Sequence, residues 1–312
     1  MNLDYLRTVE HDDGSAGRGT VLFGGSGFLG PYILANYPEM ISAGRSPAPT
    51  PNRHIPIPSM ADLSPLRDVE FDSVIYIIGN TDHHALERET IPPGEPTAFD
   101  YHLTPFLQAM EQLKQFPIRK LIHFSTILIY DENRIALPVS EHAPIDPHKN
   151  RYVLSKYLAE EACRFYSRWV PIINVRLSNI YGPTPLERFD LVHRLIHQLL
   201  DKGEGEVWST RPQRDFIYVE DAAHAIVELL NTDYTGTLNL GTGQMTSIRT
   251  IVDLLRDLSG CPITDLDQPV AGPMKFRCDM ETVARLLSWR PRTSAEAGVR
   301  RTWEVMRSWH QT

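Results

Sequence analysis

Short apolar runs alternate with stretches of helical period through the first half of the chain. The runs are Val21-Leu22-Phe23, Met40 to Ala43, Ser73 to Ile78, Lys120 to Ser125 and Ile172 to Arg176. Between them lie helical patterns from Phe28 to about Tyr37, from Thr104 to Gln115 and from Tyr152 to Trp169. Strands that are apolar at nearly every position, rather than at alternate ones, are covered on both faces. Strands of that kind interleaved with helices predict an α/β fold, a doubly wound parallel sheet.

After Pro183 the pattern changes. Helices are expected at Asp190–Lys202 and Val219–Leu230, but proline and glycine interrupt the apolar periodicity, and Leu238-Asn239-Leu240 reads as a strand returning to the sheet. The predicted organisation is a flexible N-terminal tail (1–19), a sheet domain (20–182) and a smaller C-terminal α/β domain (183–312), with 237–243 returning. Pro47 to Pro58, which carries five prolines, reads as a stiff surface loop.

Composition narrows the classes. Of 312 residues, 42% are hydrophobic and 22% charged, which excludes a disordered, collagen-like or disulfide-dense chain. Lys plus Arg number 31 and Asp plus Glu 39, a net charge of −8, so no footprint for nucleic acid or an anionic membrane is expected. No apolar run approaches the roughly 18 residues of a membrane span. Asp4, Glu10, Asp12 and Asp13 make the first residues unlike a signal peptide, and a cytoplasmic location is expected. Cys163, Cys261 and Cys278 are too few and scattered for a disulfide framework or a metal cluster, and no metal is expected.

Candidate chemistry starts where the first strand meets Gly24-Gly25-Ser26-Gly27-Phe28-Leu29-Gly30. Glycines three apart, between a strand and a helix, allow a tight turn and let a pyrophosphate rest on the helix N-terminus. This is a variant of the dinucleotide fingerprint of the Rossmann fold. Sites specific for NAD carry an acid at the end of the second strand, about twenty residues on, for the ribose 2′-hydroxyl. Here the stretch is Ala43-Gly44-Arg45-Ser46. A guanidinium and a hydroxyl suit a 2′-phosphate, so NADP(H) is the preferred cofactor, with NAD(H) as the alternative. Asp62, after a short third strand, is placed to approach the adenine.

Tyr152-Val153-Leu154-Ser155-Lys156 opens a helix and puts the phenol and the ammonium on one face, one turn apart. A phenol of pKa about 10 needs a nearby cation to work as an acid or base near neutrality. Ser125-Thr126 ends a strand, where ligands bind in open α/β sheets and where a hydroxyl can meet a substrate carbonyl.

In this order the features resemble the extended short-chain dehydrogenase/reductase family, the NAD(P)-dependent nucleotide-sugar epimerases, dehydratases and 4-ketoreductases. The resemblance runs from about residue 20 to 305 and includes Arg176-Leu177-Ser178-Asn179-Ile180-Tyr181-Gly182-Pro183, Arg214-Asp215-Phe216-Ile217-Tyr218-Val219-Glu220-Asp221 and Asn239-Leu240-Gly241-Thr242-Gly243. It implies that Thr126 orients the substrate, Tyr152 is the acid/base, and Lys156 holds the nicotinamide ribose and tunes the tyrosine. It implies cofactor contacts at Gly24, Gly27, Phe28, Leu29, Gly30, Arg45, Ser46, Asp62, Leu63, Ile78 and Gly79, and substrate contacts at Thr126, Asn179 and Arg214. Arg176 and Asp221 are expected to be structural, as an ion pair or a helix cap. A nucleotide-diphosphate sugar is the implied substrate and a homodimer the implied assembly, with Leu154, Leu158, Ala162 and Phe165 left for packing or a partner.

Two departures bear on the reaction. Family dehydratases follow the catalytic threonine with Asp-Glu, whereas Ile127 and Leu128 stand here and cannot move a proton. Gly79-Asn80 replaces the usual Ala-Ala after the fourth strand. The expected activity is therefore NADP(H)-dependent reduction of a nucleotide-activated keto-sugar, of the NDP-4-keto-6-deoxyhexose type. The alternatives are an epimerase with retained cofactor and, in another class, a non-catalytic dinucleotide-binding regulatory subunit. His83-His84 reads as exposed loop rather than metal site, and Trp289, Trp303 and Trp309 as packing anchors.

Overall fold

A computed structural model describes residues 5–6, 19–80, 86, 91–188, 190–270 and 272–311. The His83-His84 pair and most of the expected tail lie outside the described residues. Within that tail, Tyr5 is buried and meets Tyr32 edge-on with ring centroids 5.8 Å apart.

The chain divides into two compact units. The first comprises Met1–Ile129, Asp146–Arg176 and Ala223–Leu238. Its strands are β1 (Thr20–Phe23), β2 (Ile41–Gly44), β3 (His54–Pro56), β4 (Ser73–Tyr76), β5 (Lys120–Thr126), β6 (Ile172–Leu177) and, named here out of chain order, β11 (Gly236–Leu240). They form one seven-stranded sheet in the order β11-β6-β5-β4-β1-β2-β3. β1 pairs in parallel with both β2 and β4, so strand order reverses beside β1, the place where open α/β sheets form a ligand crevice. The full burial of β1, β4 and β5 accounts for the apolar runs within them, and in β5 it also encloses Lys120, His123, Ser125 and Thr126.

Helices cover the sheet. α1 (Gly30–Asn36) follows the glycine turn with Pro31 in its first turn, where a missing N–H costs little. α2 (Ala98–His102) opens on a capping box between Thr97 and Asp100 and leads into α3 (Thr104–Leu113). α4 (Arg151–Tyr166) is capped by Asn150, whose side chain accepts from Val153 N at 2.8 Å. Ala159, Ala162, Cys163 and Tyr166 of α4 pack into the core with Phe106, Met110 and Leu121, while Tyr152, Ser155, Lys156 and Glu160 are polar yet buried. Of the residues left for packing or a partner, Ala162 is part of that core and Phe165 is exposed.

The second unit comprises Tyr130–Ile145, Leu177–Ala222 and Asn239–Thr312. Its core is built from Tyr181, Leu195, Ile196, Tyr218, Ile251, Leu255 and Trp303. It contains β7 (Asn179–Tyr181), α5 (Leu191–Lys202), β8 (Gly205–Val207), β9 (Gln213–Arg214), β10 (Phe216–Tyr218) and α6 (Val219–Leu230), whose later residues count with the first unit. β12 (Thr246–Ser247), α7 (Ile248–Ser259), β13 (Ile263–Asp265), α8 (Glu281–Leu286) and α9 (Ala295–His310) complete it. Trp289 and Trp303 are buried and Trp309 packs partly against this core.

Two expectations need correction. The proline-rich Pro47–Pro58 segment contains an edge strand, β3, paired with β2 through Ala43↔Ile55, and it buries Ile55 and Ile57. Pro56 is tolerated because an edge strand can leave one N–H side unpaired. The division at 182/183 is also crossed in both directions: Tyr130–Ile145 belongs to the second unit and Ala223–Leu238 to the first.

Candidate active site

At the carboxyl ends of β1, β2 and β4 the first unit holds a cleft of 780 Å³. Gly24, Gly25, Ser26 and Gly27 line one stretch of it, Gly44, Arg45 and Ser46 another, and Ile77, Ile78 and Gly79 a third. The turn is tight: Gly24 has φ +94° and Gly27 N donates to its carbonyl at 3.0 Å. Gly30 stands behind the wall, where a Cβ would lie 2.6 Å from Gly25 Cα, so only glycine lets α1 approach the turn.

The other cofactor candidates do not line the cleft either, and Asp62 is exposed. Leu29 is buried, Phe28 meets Tyr32 edge-on, and Leu63 sits in the core. The Asp62 carboxylate accepts Ser64 N at 2.9 Å, and that contact holds it below the usual carboxylate range. No acid follows β2. One carboxylate, that of Asp100, does line the cleft, already engaged by Thr97 N at 2.8 Å and Oγ1 at 2.7 Å.

Thr126 closes β5, and its Oγ1 accepts Leu128 N at 3.2 Å in the short 3₁₀ turn Ile127–Ile129. That contact uses an acceptor lone pair and leaves the hydroxyl proton to be directed at a ligand. Ile127 is buried and Leu128 half-exposed, and both are apolar, so neither side chain of this turn can donate or accept a proton. Lys156 Nζ donates to Phe124 O at 3.1 Å, which brings it to the strand end that carries Thr126. Burial lowers the ammonium's pKa to about 8 against the opposing pull of Cys163 and Glu160.

Behind this face lies a sealed polar layer. Arg176 donates to both oxygens of Glu160, His123 Nδ1 pairs with Asn174 Oδ1 at 2.7 Å, and burial pushes the His123 pKa down to about 4. His123 is therefore neutral at working pH. His102, at the end of α2, reaches Ser155 Oγ at 2.8 Å and the backbone of Asn80.

The remaining candidates lie in the second unit. Asn179 donates from both its backbone N and its Nδ2 to Asp215 O, at 3.2 and 2.9 Å. Arg214 is half-buried and donates to Gln213 O at 3.2 Å; burial lowers its pKa and the Glu132 carboxylate opposes that. Asp215 is the hub of this region. Its Oδ1 accepts Thr242 N and Oγ1, and its Oδ2 accepts Gly243 N and Cys278 N, all at 2.8–3.0 Å. Two of the sequence motifs thus interlock through one carboxylate. Arg176 is an ion-pair residue, and Asp221 accepts Arg292 N and Thr293 N.

Residues 95–241 match the model of the NAD dependent epimerase/dehydratase family. Over that segment the chain is similar to that family. Over 308 residues the chain is 26% identical to a putative UDP-glucose 4-epimerase of Methanocaldococcus jannaschii, covering 93% of this chain and 98% of that protein. It is 28% identical over 208 residues to a GDP-L-fucose synthase of Sinorhizobium fredii, covering 60% and 65%. The fold is similar to that of a UDP-glucuronic acid 4-epimerase from Bacillus cereus in complex with UDP-glucuronic acid and NAD (TM-score 0.79, 22% identity, 93% of this chain and 99% of that one). It is similar also to RMD from Pseudomonas aeruginosa complexed with NADPH (TM-score 0.76, 23% identity, 93% and 99%). The resemblance is to enzymes of the extended short-chain dehydrogenase/reductase type. Among its described residues no helix is long and apolar enough to cross a membrane, and no group of three His, Cys, Asp or Glu side chains is placed to hold a metal.

Sequence reasoning missed His102, Ser155 and Glu160. His102 pairs with residues 22 and 53 positions away, so no local spacing marks it. The one signal was Gly79, whose missing methyl leaves room for the imidazole.

Proposed function

We propose that this enzyme reduces the keto group of a nucleotide-diphosphate sugar, of the NDP-4-keto-6-deoxyhexose type, with NADPH. The observation that carries this reading is the cleft wall just past β2, where Arg45 and Ser46 stand with no carboxylate. The glycine cradle and the depth of the cleft fit a dinucleotide. Arg45 and Ser46 would hold the adenosine 2′-phosphate, and Lys156 the nicotinamide ribose.

Bound NADPH supplies a hydride. Thr126 directs its hydroxyl proton at the substrate carbonyl oxygen. Tyr152 gives its phenolic proton to that oxygen as the C=O electron pair moves onto it, so ketone becomes alcohol and the phenol becomes phenolate. The Lys156 ammonium, charged below about pH 8, stabilises the phenolate until solvent returns a proton. Arg214 would hold the diphosphate through the planar geometry that suits Arg to phosphate oxygens. A cytoplasmic homodimer belongs to the same proposal.

The second reading is an epimerase, favoured by the nearly full-length likeness to a putative UDP-glucose 4-epimerase. The two part on cofactor traffic. Acid release of the dinucleotide from freshly purified protein, followed by NADPH oxidation assays with GDP- and dTDP-linked 4-keto-6-deoxyhexoses, decides between them. Stoichiometric NADPH loss supports the reductase. Tightly held NAD, with sugar isomers interconverting and no NADPH loss, establishes the epimerase.

A further inference from the structure

His102 joins three parts of the site and has no role in the chemistry above. Ser155 spends its hydroxyl proton on Tyr152 O, at 2.7 Å, so His102 Nδ1 is the donor to Ser155 Oγ at 2.8 Å. On the other side of the ring, Nε2 lies 3.1 Å from Asn80 N and 2.8 Å from Asn80 O. The imidazole also meets the Tyr152 ring edge-on, with centroids 5.2 Å apart and planes at 84°. The ring is buried, and it occupies the space a side chain at position 79 would need. A Cβ on Gly79 would lie 3.0 Å from His102 Cδ2, 3.3 Å from Nε2 and 3.5 Å from Lys156 Nζ.

We propose that His102 is a positioning residue, a strut that sets the separation between Gly79, which lines the cleft, and the Tyr152 ring. Position 79 is glycine because the imidazole fills the volume beside it. The proposal rests on the reading of Tyr152 as proton donor. Gly79 lines the cleft and His102 lies behind it, so a methyl at 79 either displaces the imidazole or pushes into the space for the nicotinamide. Removing the imidazole takes away its edge-on contact with the Tyr152 ring, and a misplacement of about 1 Å costs a reaction about a hundredfold.

The test uses Gly79→Ala, His102→Ala and the double variant. Three quantities are measured: the Kd for NADPH, the Kd for 2′-phospho-ADP-ribose (which lacks nicotinamide), and kcat and KM with the keto-sugars. Gly79→Ala is expected to weaken NADPH about tenfold while leaving 2′-phospho-ADP-ribose within about twofold, because overpacking is confined to one end of the cleft. His102→Ala is expected to lower kcat about thirtyfold with KM within about threefold. In the double variant NADPH affinity returns to within about threefold of wild type, a non-additive rescue, while kcat stays low. If Gly79→Ala fails to fold, the double variant must fold, and its failure to do so overturns the pairing. Wild-type NADPH affinity in Gly79→Ala, additive losses in the double variant, or near-normal kcat in His102→Ala each overturn the proposal. An active Tyr152→Phe enzyme defeats the catalytic reading instead, and the coupling of 79 and 102 in NADPH binding remains readable without it.

Discussion

Glu160 and Arg176 are locked in a two-pronged ion pair, Nε to Oε1 at 3.0 Å and Nη2 to Oε2 at 2.7 Å, with side chains only 1% and 3% exposed. Glu160 sits one helical turn past Lys156 on α4. Burial alone would raise its carboxyl pKa, and the hydrogen bonds and charge of Arg176 more than reverse that. Replacing one partner leaves the other charge buried and uncompensated. Glu160→Gln is expected to cost about 3–5 kcal/mol of stability, read from urea unfolding. A loss below about 1 kcal/mol would show that water or another group already compensates Arg176.

Arg45 carries the cofactor prediction. A charge-assisted contact to a 2′-phosphate contributes about 1.5–3 kcal/mol, so NADPH should bind at least about tenfold tighter than NADH. Arg45→Asp should shrink or invert that preference. Equal titration curves for the two dinucleotides on the wild-type protein would count against it.

Tyr152→Phe removes one hydroxyl and leaves the ring, so the fold and NADPH binding should survive while kcat falls at least about a hundredfold. Thr126→Val loses an orienting hydrogen bond and should be impaired less. Turnover near wild type in Tyr152→Phe would place the proton donor elsewhere.

Lys156 predicts a pH limb. The ammonium, with its pKa lowered by burial to about 8, is charged below that pH and neutral above it. Support for the tyrosinate is present below about pH 8 and lost above, so kcat/KM should decline there. For stability the sign is opposite. The unfolded lysine keeps its proton to a higher pH than the folded one, so this residue adds stability as pH rises from about 8 towards its unperturbed value. A kcat/KM profile flat to about pH 10, the range of free lysine, would contradict the activity limb.

Arg214→Ala should weaken binding of UDP and GDP by about 1.5–3 kcal/mol, roughly ten- to a hundredfold, and leave NADPH affinity unchanged. Calorimetry on the wild-type protein sets the baseline. Absence of saturable binding by either diphosphate would exclude this substrate class.

The apolar runs gave away the sheet because β1, β4 and β5 are buried on both faces, and Val219–Leu230 was legible to the residue. A short third strand before Asp62 was expected, but its seat within Pro47–Pro58 was masked because prolines that forbid a central strand are acceptable at an edge. The excursion of Tyr130–Ile145 into the second unit carries no periodic signal at all. In the site, the turn glycines and Tyr152–Lys156 were readable because their spacing is local. His102–Ser155 and Glu160–Arg176 are made by folding, across gaps of 53 and 16 residues, and no window along the chain contains their logic.

The interleaving of the units also fixes an order of events during synthesis. The glycine turn and the strands around it are translated early, yet the strand that covers the outer side of β6 is Gly236–Leu240. Until the ribosome has released that strand, β6 presents a bare row of N–H and C=O groups, a template for pairing with another chain. A nascent chain stalled anywhere between Leu177 and Gly236 is thus a sheet with one open, sticky edge. Translation speed from Leu177 to Gly236, rather than the strength of the finished core, sets how long that hazard lasts.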